Sequence, residues 1–149
     1  MTRAQQLAAT LADILEGDPW YASSIKSTLH GITAVAAATR PLAGAHTIWE
    51  IAAHLDAWNH VCLLRLNGET AGEPAVNFET PETISPSEWL QVQLRLDASC
   101  RQIIARAAGM TGAELAVTIP GKEYTADFLI EGTGQHWIYH CGQIAVLRR

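Results

Sequence analysis

The stretch QHWIYHCGQIAVLRR, residues 135–149, sets His136 and His140 four positions apart among large apolar residues. On a helix, positions i and i+4 share one face, so the two imidazoles project side by side from successive turns. Trp137, Ile138, Ile144, Ala145 and Leu147 suit a helix packed into a core. Neutral imidazole is a common ligand for zinc, nickel and iron, and this spacing fixes two ligands from one backbone element. A third has to come from elsewhere. His54, inside the apolar helical run Ile48–Leu66, is the best placed.

The rest of the chain also reads as helical. Thr2 with Gln5 forms a capping box ahead of Leu7, Leu11, Ile14 and Leu15, and Gly17 stops that segment. Asp18-Pro19 then predicts a new start, with a helix over Trp20–Thr39. Its apolar stripe is Ile25, Leu29, Ile32, Val35 and Ala36. Gly31, costing ~1 kcal/mol relative to alanine, marks where it can bend or break. Thr47 with Glu50 is a second capping box and opens the clearest helix, Ile48–Leu66, with Ile51, Leu55, Trp58 and Cys62 near its inner face.

Glu69–Thr83, acidic and poor in large apolar residues, reads as a connection crossing the bundle. Ser85-Pro86-Ser87-Glu88 is a strong start signal for a helix through Ala108. Thr111–Leu115 predicts a short turn, and Ala116–Ile119 before Pro120-Gly121 an extended loop. Thr125 or Asp127 can cap the final helix. No repeat and no period-two pattern appears. The expected architecture is therefore all-α: one domain, 1–149, built as a four-helix bundle with the leading segment as an accessory N-terminal helix.

The chain carries 15 acidic and 10 basic residues and has no basic cluster, which disfavours nucleic-acid binding. No window is long and apolar enough for a membrane span, and no signal-peptide core is present. Cys62, Cys100 and Cys141, an odd and widely spaced set, suit reduced buried thiols. Cytoplasmic location is the expectation.

Around the three histidines, Glu50 lies one turn before His54 and is a candidate to orient it, although its cap role competes. Trp58 lies one turn after His54 and is a core or pocket wall. His46, beside the cap at Thr47, is a candidate for pocket duty. Gln143 is a candidate to support the site or line its pocket, with a helix–helix hydrogen bond as its default reading. His60 is expected to pair with Asp56, and His30 to sit at the surface. HExxH is absent, because Trp137 follows His136, and the paired Glu-x-x-His motifs of a di-iron bundle are absent too. Three protein ligands leave a position open for water or substrate. The competing reading makes the histidines buried polar groups bonded to their neighbours.

Thr47-Ile48-Trp49-Glu50 through His54, together with His136-x3-His140-Cys141-Gly142-Gln143-Ile144-x3-Arg148-Arg149, resembles the DinB-like superfamily, the DinB/YfiT-like metalloenzymes. The likeness extends over most of the chain. It implies an up-down-down-up four-helix bundle, commonly a homodimer, with a divalent metal held by His54, His136 and His140 near one end. Cys141 stands where a smaller residue is more usual, which leaves the ligands intact. Relatives with known activities include mycothiol-dependent maleylpyruvate isomerases and bacillithiol S-transferases. By that analogy the cofactor is zinc or nickel, and the partners are a small-molecule thiol and an electrophile. A metal-dependent hydrolase and a non-enzymatic dimeric metal-binding bundle are the alternatives, since fold analogy warrants reaction type only weakly.

Overall fold

The computed structural model describes residues 1–148. It is all-α, with seven helices: α1 Arg3–Glu16, α2 Ile25–Leu29, α3 Ala34–Ala38, α4 Ile48–Leu66, α5 Pro86–Ala108, α6 Gly112–Leu115 and α7 Ala126–Leu147. Among the described residues no strand forms beyond one isolated antiparallel bridge, Thr118 to Thr125. Polar side chains at the chain's helix starts explain the boundaries. Thr2, Ser24, Thr33, Thr47, Ser85, Thr111 and Thr125 each accept a backbone N–H from the first turn of the helix that follows. At Thr2, Thr47 and Thr111 the third residue reciprocates, completing a capping box.

Two expectations are corrected here. Trp20–Thr39 is not one helix, and Asp18-Pro19 does not start one. The segment breaks into α2 and α3 because Ser24 and Thr33 offer side-chain acceptors to Ser27 and Ala36, and Gly31 turns between them at φ 76°. Val35, assigned to the apolar stripe, is exposed. The leading helix is likewise no accessory. α1 buries Leu7, Leu11, Ile14 and Leu15 and packs against both α5 and α7, while α4 packs against the same two helices.

α1 approaches α7 closely at Gly134. A side chain there would come within 3.1 Å of Leu11 and 3.2 Å of Ile14, so the glycine permits the contact. Gly134 thus sits inside a continuous helix beginning at Ala126, upstream of the stretch that reads most firmly as helical in sequence.

Buried residues from Ala4 to Ile144 form one apolar cluster. Trp137, fully buried on α7, contributes roughly 4 kcal/mol by its removal from water. Its indole N–H donates to Asn59 Oδ1 at 2.8 Å, and the Asn59 amide donates to Ser99 Oγ at 3.0 Å. This buried polar chain joins α7, α4 and α5 at one level and fixes the rotation of α7 relative to α4. That rotation determines where the face carrying His136 and His140 points.

Candidate metal centre

His54 is on α4, one turn beyond the Thr47–Glu50 capping box, and His136 and His140 are on the facing side of α7. One ligand atom from each of the three rings lies within 4.8 Å of the other two. His54 Nε2 is 3.1 Å from His136 Nε2, and the ring centres of His54 and His136 are each 4.6 Å from that of His140. Residues 82 positions apart in the chain are thus brought to one point.

The outward nitrogens are spoken for. His54 Nδ1 is 3.1 Å from the backbone carbonyl oxygen of Asn77 and 2.9 Å from its side-chain Oδ1. A carbonyl oxygen only accepts, so Nδ1 carries the proton and donates it. Trp58 Nε1–H donates to the same Oδ1 at 2.9 Å, which fixes that atom of Asn77 as the oxygen. His54 Nε2 therefore presents a bare lone pair toward His136. His140 repeats the arrangement, with Nδ1 donating to Gln143 Oε1 at 2.6 Å. Rings oriented by an outer hydrogen bond, with the other nitrogen turned inward, are the usual setting of imidazole metal ligands.

Burial lowers the pKa of all three rings, because an imidazolium in this pocket loses its water. His136 is affected most, down to about 4, by burial and then by the neighbouring His140 and His54. Neutral rings at pH 7 are the form that binds a cation. The three residues fit a divalent metal on donor type, convergence and protonation state.

The surroundings alter several readings. Glu50 does not orient His54. Its buried carboxylate accepts from the Thr47 N–H at 3.0 Å and from Arg40 at 2.8 Å, and it contacts His46 Nδ1 at 3.1 Å. Burial alone would push its pKa up, but the hydrogen bonds from Thr47, Arg40 and His46 outweigh it and hold the carboxyl below its ordinary value. Among the described residues Gln143 makes no helix–helix bond. It stays within α7, on His140 and on the Tyr139 hydroxyl at 3.4 Å. His46 stacks on Phe78 with ring centres 3.6 Å apart, and Phe78 stacks on His54 at 4.1 Å. His60 pairs with Asp56 at 3.3 Å, and His30 is exposed.

The residues that sequence reasoning missed are Asn77 and Phe78. Both belong to the crossing connection, which lies over the site rather than passing it by. The available signal was small: Phe78 is the one aromatic residue in Glu69–Thr83, and an aromatic in an otherwise polar segment has something to cover.

A cleft of 350 Å³ opens beside the cluster between α4 and α7, lined by Trp58, Asn59, Cys62, Arg65, Tyr124, Phe128, Leu129, Gly132, Thr133 and His136. Its walls are mainly apolar, and His136 closes one end. Burial pushes the thiols of Cys62 and Cys141 up to about 11 and about 12, so neither is a thiolate at neutral pH. Cys100 is displaced in the same direction.

No helix is long and apolar enough to cross a membrane among the described residues. A family model described as the DinB superfamily matches residues 23–144, a span that includes all three histidines, Asn77 and the cleft. No curated protein and no solved structure matches the chain.

Proposed function

Because this chain belongs to the DinB superfamily, we propose that it is a divalent-metal-dependent S-transferase, with His54, His136 and His140 holding one zinc or nickel ion. The observation that carries the reading is the pinning of the His54 proton on Asn77. It leaves His54 Nε2 an acceptor 3.1 Å from His136 Nε2, a hydrogen-bonding contact in the metal-free chain between two nitrogens close enough to share one cation. A cation held there supplies Lewis acidity, which lowers the pKa of a low-molecular-weight thiol and presents it as a nucleophile.

The chain's own residues do the rest. Trp58 and Phe78 wall the rings from two sides, and Asn77 and Gln143 hold two of them in one tautomer. The cleft at His136 gives a thiol and its electrophile a common approach. That opening favours an enzyme over the non-enzymatic bundle, for which a sealed site would suffice. In the same proposal the chain is one domain, its long helices run up-down-down-up, and it functions as a homodimer.

The test is a rate. Metal-loaded and chelator-treated protein are compared with glutathione, bacillithiol or mycothiol as donor and monochlorobimane as electrophile. Metal-dependent conjugation with at least one thiol is expected. Metal-dependent hydrolysis of ester substrates without conjugation would replace transfer by the hydrolase. No rate in either assay would leave a metal-binding bundle.

A further inference from the structure

The cleft that begins at His136 has Arg65 at its other end, and the setting of that guanidinium is unusual. The residue is 7% exposed, yet among the described residues no carboxylate lies within ion-pairing distance of it. Its partners are neutral: Nε donates to the Ala71 carbonyl at 3.0 Å, one terminal nitrogen to the Tyr124 hydroxyl at 3.0 Å, and the other to the Gly72 carbonyl at 3.2 Å. The group also lies 5.8 Å from the centre of the Trp58 ring. These three bonds fix the plane of the fork and still leave free N–H donors.

A cation taken out of water is costly unless it is paired, and neutral carbonyls offset only part of that cost. A held, planar and uncompensated guanidinium in an apolar cleft is a carboxylate receptor. The arginines that do have carboxylate partners are themselves far more exposed, as Arg101 is with Glu16 and Asp97 and Arg40 with the buried Glu50.

We infer that this cleft binds a small organic carboxylate, its anion on Arg65 and its apolar body against Trp58, Phe128 and Leu129, with the opposite end reaching His136. The Arg65 guanidinium lies 5.8 Å from the Trp58 ring centre and the His136 ring 6.3 Å from it, so a body lying across that indole bridges the two. The inference names the substrate class for the site proposed above and rests on that reading for what happens at the His136 end. The binding of the anion itself does not depend on a metal.

The experiment uses chelator-treated full-length protein and calorimetric titration with ω-phenylhexanoate and its uncharged analogue ω-phenylhexanol. The acid is expected to bind about tenfold more tightly than the alcohol, the value of a charge-assisted hydrogen-bonded contact. Arg65→Met should abolish the difference, and Arg65→Lys should keep part of it. Arg65 holds two backbone carbonyls, so Arg65→Met can fail to fold. In the unmutated chain, the Arg65 Nε–H resonance should then shift with the acid and not with the alcohol. Equal binding of acid and alcohol, or an acid preference that survives in folded Arg65→Met with no shift at Arg65, overturns the inference. A preserved acid preference in a protein that binds no zinc removes the metal reading and leaves this one standing. Zinc binding without any acid preference does the reverse.

Discussion

His54 Nδ1 and the Asn77 carbonyl oxygen, 3.1 Å apart, join the second long helix of the chain to the connection that follows it. The contact does two things at once. It sets the tautomer of an imidazole in the middle of α4, and it ties down a segment that composition alone suggests is loose. Oxygen ligation of the outer nitrogen raises the basicity of the inner one and holds the ring in plane. The polar connection is thereby a working part of the site.

Replacing Asn77 by alanine keeps the backbone carbonyl but removes Oδ1, which both His54 and Trp58 use. Metal affinity should fall by about tenfold, the lower end of losses seen when such outer partners are removed. Competition with a chromophoric chelator measures it. An unchanged affinity would mean that the backbone carbonyl alone holds the ring.

Glu50 offers a contrast, because it stands near the site without touching it. Glu50→Ala removes the acceptor of the Thr47 N–H, of Arg40 and of the Thr80 hydroxyl. Loss of a buried cap of this kind should cost about 2 kcal/mol in urea unfolding. Metal stoichiometry should stay at the unmutated value. A variant that folds normally but loses its metal would return Glu50 to the role of orienting His54.

The pH dependence of the metal-free chain has a definite sign. His136 is held at about 4 in the folded state against an ordinary value of 6.5, and His54 and His140 are displaced the same way. Between those values the unfolded chain binds more protons, so stability rises with pH. The contribution is fully present above pH 6.5 and is lost as pH falls toward 4. Urea midpoints at stepped pH should therefore drop across that window, and His136→Ala should flatten the drop. A flat profile in the unmutated chain would contradict the burial of these rings.

Asn59 tests the packing that aims α7. Asn59→Ala strands the Trp137 indole N–H in the core and removes the donor to Ser99. Destabilisation of about 2 to 3 kcal/mol is expected from the unsatisfied group and the small cavity. Chemical denaturation followed by tryptophan fluorescence reads it directly.

The parts of this molecule legible in sequence are those written in short-range pattern. The capping box at Thr47 and Glu50, the start at Ser85-Pro86 and the i,i+4 pair at His136 and His140 all depend on residues within a turn of each other. The convergence of His54 on that pair was also legible, because both helices are too apolar to face water. Local competition hid the break between α2 and α3. Ser24 and Thr33 read as ordinary members of a helical run, yet each caps a separate short helix. Asn77 and Phe78 were hidden for a different reason. Their contacts reach back to residues 19 and more positions earlier, and no periodicity encodes such a distance. Gln143, a candidate support for the site, acts within its own helix rather than across to another: i+3 from His140 is as close as i+4, and its amide folds back onto the ring.

The claim on which the account turns is that three imidazoles share one ion. Elemental analysis of protein purified without an affinity tag tests it most directly, applied to the unmutated chain and to His54→Ala, His136→Ala and His140→Ala. About one zinc or nickel per chain in the unmutated protein, and its loss in each folded variant, is the predicted result. Metal retained at full stoichiometry in all three variants, or no metal taken up by the unmutated chain after incubation with zinc or nickel, would contradict it.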